Sequence, residues 1–570
     1  MRSTPFRLLA AATLTAILLD LPFPIAGPLP IWRTFFAWIA LVPLLVALLW
    51  LPGAQCEKPL RWSFFTGWWC GALWFGANCY WVYGTMHTYG NMNAAMAVIC
   101  LVLFSIYLGF WFGAFALALT VIRKATMNLR WSWLAFVSIP FLWTAMEFAI
   151  ARIPEFPWDL LGYSQIDNAL LMRLAPWTGV YGISFVLAGV NALFAVGLSI
   201  FGQRRIARQE QRSFVSHSDR LFVVSGFAFV FAAAFGYTVT EGSPATQAIA
   251  VLIQPNLSVD ADDVWVGADW DRHIAQFTQL GTQSCKSYIA GMPQTDAKVV
   301  SPQCPAASAP PTLIVWPEAP APFRDLDPRF QTAMKSIVAA DKAPLTVGTI
   351  GMTEDESHQT HFFNSASIFA QDGHLIGRYD KIHLVPFGEY IPFRKLLFFA
   401  RQLTDQLSDM GNGDNRRAFP IASSDGQTHG YGIFICYESV FGDEVRQFAL
   451  HGSEVLVNIS DDGWYGDTSA PWQHLNMARM RAIENRRWIL RDTNTGVTAS
   501  IDPYGIVRQS IPRHQVDALP ARFGYNSELT FYTLHGDVLP VICAILSLAL
   551  ALWSGRALLW QNATSQPERQ

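Results

Sequence analysis

Hydrophobic positions along this chain follow two regimes. Through the first 240 residues and again near the C-terminus, apolar residues run on with little polar relief. Between these regions they come in short bursts, separated by charged and turn-forming residues. Eight long apolar stretches stand out, at 6–21, 35–51, 64–83, 94–122, 131–151, 177–201, 221–237 and 538–553. Each approaches or exceeds the run of about 18 residues that can cross a bilayer as a helix. The pattern predicts seven membrane helices, a large polar region and one final span. The first stretch has Arg2 and Arg7 ahead of its apolar core, as a signal peptide would. However, Asp20-Leu21-Pro22-Phe23-Pro24 offers no small-residue cleavage site and another span follows at once, so it reads as a retained span.

Inside the polar region the bursts are strand-sized: 248–253, 313–316, 344–349, 365–370, 431–435 and 455–459. Helix-type spacing fills the gaps at 272–280, 329–340, 441–451 and 473–487. Strands alternating with helices predict a layered α/β domain. The expected organisation is a seven-helix membrane domain over 1–240, an α/β domain over 241–534, and a last span with its tail over 535–570. Residues 302–311, rich in Pro, Ala and Ser, read as a surface loop.

Composition sharpens this picture. The chain has 570 residues, 52% of them hydrophobic and only 15% charged, against a usual charged share of about 25%. A formal net charge of -3 gives no reason to expect a nucleic-acid partner. The cations are unevenly placed. Arg2, Arg7, Lys58, Arg61, Arg123, Lys124, Arg130, Arg204, Arg205, Arg208, Arg212, Arg220, Arg556 and Arg569 all fall on one side of the expected spans. The other side has little beyond Arg33, Arg152 and Arg173. Such a bias orients both termini toward the cytoplasm and the polar region away from it. Cys56, Cys70, Cys79, Cys100 and Cys543 lie in or beside spans and read as packing residues. Cys285, Cys304 and Cys436 lie in the polar region, where an oxidising compartment would allow a bridge between the first two and leave one free thiol.

That thiol is the chemical centre of the sequence. Cys436 ends the apolar run Gly432-Ile433-Phe434-Ile435 and precedes Tyr437-Glu438-Ser439, at a strand-to-helix turn where sulfur and backbone N–H groups can meet. Glu318 ends Leu313-Ile314-Val315-Trp316-Pro317, and Lys381 opens a run from Ile382 through Glu389 to Pro392. Taken singly, each has a plain reading: a buried Cys, a loop Glu, a Lys paired at the surface with Asp380. Together they offer a base, a cation and a nucleophile. Glu318 can take the thiol proton. Lys381 can hold the thiolate and then an oxyanion, with the Tyr437 N–H as second donor. Glu389 can balance Lys381, and Glu438 can order the turn. His383 and His474 lack zinc spacing and read as polar packing or pocket residues. No phosphate-cradling loop is present, and no metal or other cofactor is called for. Within the spans, Glu147 near Arg152 reads either as an interfacial ion pair or as a functional group. The aromatic stretch 156–165 reads as interfacial, able to line a lipid path.

The order Glu, Lys, Cys, each within its motif, resembles the nitrilase (carbon–nitrogen hydrolase) superfamily. The whole chain, spans included, resembles the apolipoprotein N-acyltransferase family of Gram-negative bacteria. The resemblance is carried by Trp316-Pro317-Glu318, by Asp380-Lys381-Ile382-His383-Leu384-Val385-Pro386-Phe387-Gly388-Glu389 and by Ile435-Cys436-Tyr437-Glu438. Asp462-Gly463-Trp464-Tyr465-Gly466 and Pro471-Trp472-Gln473-His474 extend it. It implies a helical membrane bundle carrying a nitrilase-like αββα sandwich in the periplasm of an inner-membrane protein. It also implies transfer of an acyl chain from a phospholipid, mainly phosphatidylethanolamine, through a Cys thioester. The acceptor would be the α-amine of the diacylglyceryl-cysteine that begins an apolipoprotein. By the same resemblance Glu318 is the base, Lys381 the oxyanion stabiliser and Cys436 the nucleophile. Glu389, Tyr437 and Glu438 match supporting positions, Pro392 and Trp464 go with substrate binding, and Trp265 matches a lipid-facing arm loop. Ala319-Pro320, Asp461 in place of a common Asn, and an apparent insertion at 285–311 depart from the family pattern. Two other readings remain open at this point: a membrane-tethered amide or nitrile hydrolase, and a catalytically silent binding module.

Overall fold

The computed structural model describes residues 3–50, 58–126, 133–209, 235–259, 268–290, 311–318, 323–386, 388–390, 410–423 and 426–564. The chain divides into two compact units. One comprises Met1–Tyr83, Ala94–Thr240 and Asp537–Gln570; the other comprises Gly84–Asn93 and Glu241–Gly536.

The first unit is helical, with long helices at Ser3–Asp20, Pro59–Asn78, Ala94–Thr126, Leu134–Arg152, Val180–Gln209 and Val538–Thr564. Among the described residues, five segments are long and apolar enough to cross a membrane: Ile31–Leu49, Ala94–Thr126, Leu134–Arg152, Val180–Leu198 and Val538–Gln561. The 6–21 and 64–83 stretches are helical but diluted, the first by Arg7 and Asp20, the second by Trp, Gly and Asn. Most of 221–237 lies outside the described residues. The 35–51 stretch is broken, with a 3-10 turn at Phe35–Trp38 before a helix at Val42–Trp50. Backbone groups freed at such a break need partners in an apolar setting. Asn191 supplies them, accepting from the Leu41 N–H at 2.8 Å and donating to Ala37 O at 2.9 Å. Glycines let Pro59–Asn78 and Ala94–Thr126 approach closely: a Cβ on Gly67 would come within 2.3 Å of Phe112 O, and one on Gly109 within 2.8 Å of Trp68 O.

Two sequence readings change here. Glu147 makes no ion pair with Arg152. It is buried and accepts from Trp143 Nε1 at 2.9 Å and from the Leu161 N–H at 2.8 Å, while Arg152 pairs with Asp537 at 2.6 Å. A carboxylate inside the bundle takes the nearest N–H donors, and a cation at the helix end takes an acid beside it. Residues 157–166 are buried. Trp158 packs on Trp81 and the Gly162 N–H donates to Ser184, so this stretch fills the bundle rather than facing lipid.

Among the described residues the second unit contains twelve strands: β1 Ala248–Gln254, β2 Leu313–Val315, β3 Leu345–Glu354, β4 Thr360–Phe369, β5 Leu375–Asp380, β6 Phe419–Ala422, β7 Thr428–Ile435, β8 Val455–Ser460, β9 Trp488–Thr493, β10 Thr498–Ile501, β11 Val507–Ile511 and β12 Asp517–Phe523. They form two six-stranded sheets, ordered β12-β1-β2-β3-β4-β5 and β11-β10-β9-β8-β7-β6. Strands β1, β2 and β3 run parallel, as do β7, β8 and β9. Continuous apolar runs follow from burial on both faces. In β1, Ala250 and Leu252 enter the core between the sheets, while Val251 and Ile253 enter an outer core. That outer core is closed by Phe277 of helix Ala268–Ala290 and by Phe330, Met334, Ile337 and Val338 of helix Pro328–Asp341. Helices Gly442–Leu450 and Ala470–Asn485 contribute Val445, Phe448, Leu475, Ala478 and Ala482 to the other core. The layers are therefore α, β, β, α.

The expected strand positions carry β1, β2, β3, β4, β7 and β8. The strands β5, β6 and β9 to β12 were not expected. Strand β9 carries Arg491 and Asp492, and β12 carries Pro520 and Arg522, which mask an apolar run. Pro520 is tolerated because β12 is an edge strand, where one row of N–H groups is not needed for the ladder.

Candidate functional site

Parallel strands place their following loops at one edge, and ligands of α/β sheets bind outside those carboxyl ends. Glu318 lies just beyond β2, Cys436 directly follows β7, and Asp461 and Asp462 directly follow β8. Lys381 directly follows β5. All four groups come together. Lys381 is 1% exposed, with Nζ 3.1 Å from Glu318 Oε1 and 3.0 Å from Glu389 Oε1. The other Glu318 oxygen, Oε2, accepts the Asp461 N–H at 2.9 Å, tying one sheet to the other.

Asn364 on β4 completes this cluster. Its amide nitrogen donates to Glu318 Oε1 at 2.7 Å and to Glu389 Oε1 at 2.6 Å, and its carbonyl accepts the Lys381 N–H at 2.8 Å. Glu389 Oε2 takes the Val385 N–H at 2.7 Å, which closes the loop that holds it. Burial alone would lower the Lys381 pKa, but the negative charges of Glu318 and Glu389 outweigh it and hold the ammonium charged.

Cys436 is buried and has φ +48°, the left-handed region that a residue with a Cβ occupies at a cost of about 1–2 kcal/mol. Such a position persists only when its surroundings over-determine it. Glu438 supplies one part of that frame. It accepts from the Ile435 N–H at 2.6 Å, the Ile382 N–H at 2.7 Å, the His383 N–H at 3.2 Å and the Tyr379 hydroxyl at 2.8 Å. It thereby fixes the Cys436 turn against the lysine loop. Burial pushes the Cys436 thiol well up, the charge of Glu318 adds to this, and Lys381 opposes it.

Asp461 and Asp462 meet opposite fates. Burial pushes Asp461 up to about 7, although it accepts from Asn494 Nδ2 at 3.0 Å and the Gly463 N–H at 2.9 Å. Burial would raise Asp462 as well, but Arg491 and His474 outweigh it and hold it well below the usual carboxylate range. Arg491 NH2 lies 2.7 Å from Asp462 Oδ2, and His474 Nδ1 lies 2.9 Å from Asp462 Oδ1.

Of the remaining expected residues, Tyr437 is buried with its ring edge-on to Phe441. Trp464 is 46% exposed, its ring edge-on to Tyr89 at 5.5 Å, and its carbonyl accepts from the Thr85 hydroxyl at 3.0 Å. The connecting segment Gly84–Asn93 thus packs with the α/β unit, which nothing in its sequence announced. His383 stacks on Phe441 and bonds Glu444, which also pairs with Arg416. Trp265, Pro392 and the Cys304 partner of the expected bridge lie outside the described residues. Asn364, Tyr379, His474 and Arg491 were not singled out for these roles. The one available signal was Arg491-Asp492 inside an otherwise apolar run, where buried charges require partners.

Comparison with known proteins agrees along the chain. Residues 15–193 match the apolipoprotein N-acyltransferase N-terminal domain, and residues 268–515 match the carbon-nitrogen hydrolase family. A protein of Geobacter metallireducens named apolipoprotein N-acyltransferase is 32% identical over 535 residues, covering 93% of this chain and 92% of its own length. One of the same name from Pseudomonas putida is 32% identical over 561 residues, covering 97% of each. Among solved structures, the nitrilase-superfamily protein Nit3 of Saccharomyces cerevisiae aligns with 52% of this chain and 97% of its own, at 16% identity and a TM-score of 0.32. Both halves of the chain are matched and these two relatives cover 93% and 97% of it, so this chain belongs to the apolipoprotein N-acyltransferase family.

Proposed function

We propose that the protein moves an acyl chain from a phospholipid, phosphatidylethanolamine first among them, to the α-amine of the diacylglyceryl-cysteine that begins an apolipoprotein. The observation that carries this reading is the buried ammonium of Lys381, held between Glu318 and Glu389 beside the strained Cys436 turn.

In the first half-reaction Glu318 takes the thiol proton as Sγ bonds to the ester carbonyl carbon. The oxyanion is met by Lys381 Nζ and the Tyr437 N–H. The intermediate collapses, the ester C–O bond breaks, and the lysophospholipid leaves with the proton from Glu318. In the second half the acceptor amine attacks the thioester carbon and gives a proton to Glu318. The C–S bond then breaks and the sulfur is reprotonated. The two substrates use one site in turn, which is ping-pong order. Burial of Cys436, Lys381 and Glu318 limits water at the thioester, favouring amine over hydrolysis.

Both substrates are held in a bilayer, and five apolar segments keep the enzyme there too. The Lys/Arg asymmetry supports cytoplasmic termini and an α/β domain on the periplasmic side of the inner membrane. The test is mass spectrometry of purified protein incubated with phosphatidylethanolamine. The expected result is an acyl adduct on the Cys436 peptide that disappears when a diacylglyceryl-cysteine peptide is added. Turnover of simple amides without any adduct from phospholipid would replace this reading with the tethered hydrolase.

A further inference from the structure

Glu438 frames the strained turn through the Ile435 N–H, one residue before the nucleophile. The carbonyl on the other side of Cys436 has a partner of its own. His474, from helix Ala470–Asn485, places Nε2 3.0 Å from Cys436 O. A carbonyl oxygen only accepts, so Nε2 carries a hydrogen and donates it. The ring is held from behind: Nδ1 faces Asp462 Oδ1 at 2.9 Å and Arg491 Nη2 at 3.1 Å, and Asp462 Oδ2 accepts from the same Arg491 nitrogen at 2.7 Å. Ser460 Oγ donates to Asp462 at 3.0 Å, and Arg491 reaches Asn458 with its other terminal nitrogen. Asp462, His474 and Arg491 are all 0% exposed. Burying a charged chain of this kind is costly, and replacing it with apolar groups is often neutral or stabilising. Its presence directly behind the nucleophile therefore points to geometry rather than stability.

The geometry it controls is a peptide plane. In a trans peptide the C=O and the following N–H point in opposite directions. A donor that fixes the Cys436 carbonyl on one side thereby aims the Tyr437 N–H to the other. Rotation of that plane would swing the N–H away and bring a carbonyl oxygen toward the oxyanion. The hydrogen bond from His474 also polarises the peptide, which strengthens its N–H as a donor.

We propose that Arg491, Asp462 and His474 form a buried positioning relay that fixes the Cys436–Tyr437 peptide plane and so aims the Tyr437 N–H at the oxyanion of each tetrahedral intermediate. This rests on the acyl-transfer reading above, and its test separates the two. Two rates are measured on the full chain in detergent, with Cys436 followed by peptide mass spectrometry. One is alkylation by iodoacetamide, a displacement that builds no oxyanion; the other is acyl-thioester formation from phosphatidylethanolamine, which builds one. His474→Ala is expected to slow thioester formation about 100-fold while alkylation stays within about threefold, the size of effect seen when one oxyanion donor is lost. His474→Gln, whose side-chain N–H can still reach Cys436 O, should recover at least about tenfold of that loss. Asp462→Asn should split the two rates in the same direction, and His474→Met, which keeps similar volume and leaves the Asp462–Arg491 pair in place, serves where His474→Ala does not fold. A parallel fall in both rates, or no fall in thioester formation, overturns the relay. A wild-type protein that takes no acyl group at all overturns the acyl-transfer reading instead.

Discussion

Replacing Lys381 with Met is the sharpest probe of the buried charge cluster. Met fills similar volume, so the change removes charge while leaving little cavity. The ammonium sits 3.1 Å from Glu318 and 3.0 Å from Glu389. At an effective dielectric constant of about 20, each contact is worth about 5 kcal/mol before desolvation is counted. Desolvation takes back most of this, and removing one partner of a buried pair typically costs about 3–5 kcal/mol because the other charge is stranded. At about 2–4 °C per kcal/mol for a domain of this size, the α/β unit should melt about 6–20 °C lower. Intrinsic tryptophan fluorescence of the full chain in detergent reads this directly. Two buried carboxylates without their cation repel each other and lack solvent, so adding Glu389→Gln to Lys381→Met should recover part of the deficit. A melting point within about 2 °C of wild type at pH 8 would refute the reasoning, since that is less than 1 kcal/mol on the same scale. So would a double variant no more stable than Lys381→Met alone.

Glu318→Gln should reduce acyl transfer about 10²-fold or more through loss of the base, measured as lysophospholipid release. Asp461→Asn should flatten the dependence of stability on pH. With its carboxyl raised from 3.8 to about 7, the folded protein keeps a proton that the unfolded chain releases, and stability falls as pH rises through that window. The three-unit shift corresponds to about 4 kcal/mol at most, and the lost acceptor for Asn494 takes back about 1–3 kcal/mol, so Asp461→Asn should be modestly more stable at pH 8. Compartment reporters inserted at Gln209 and at Gln303 should report opposite sides of the membrane, and the same side for both would sink the topology.

Glu318, Lys381 and Cys436 were legible as candidates because each ends or opens an apolar run, and such runs mark strand ends in a sheet buried on both faces. Glu318, Lys381 and Cys436 lie in three separate motifs, and the fold closes the distance between them. The supporting frame was harder to see. Asn364 lies on β4 in a run of Phe, Asn and Ser, where nothing marks it as the donor joining two carboxylates. Tyr379 read as another aromatic of the lysine motif, yet its hydroxyl anchors Glu438. These roles depend on strand register: Ser365 opposite Asp380 sets Asn364 beside the lysine loop, and a slip of one residue would turn its amide to the other face. In the helical unit the apolar runs located the helices, but the partner of each polar group was fixed by packing. Arg152 chose Asp537, 385 residues away, over Glu147 on its own helix.

The adjacent acids Asp461 and Asp462 show why neighbouring residues of one type carry different tolerance to change. Both follow β8 and both are buried, so desolvation acts on them alike. Asp461 meets only an amide and a backbone N–H, drifts toward the neutral form, and serves Glu318 through its own backbone N–H. Its side-chain charge does nothing that an amide oxygen could not do. Asp462 meets Arg491 and His474, stays ionised, and holds the ring that reaches the Cys436 carbonyl. An amide there would present an N–H to a guanidinium or an imidazole that needs an acceptor, leaving a buried cation short of a partner at about 3–5 kcal/mol. The same substitution one residue apart is thus mild at 461 and severe at 462. The difference lies in which cations the fold delivers to each carboxylate.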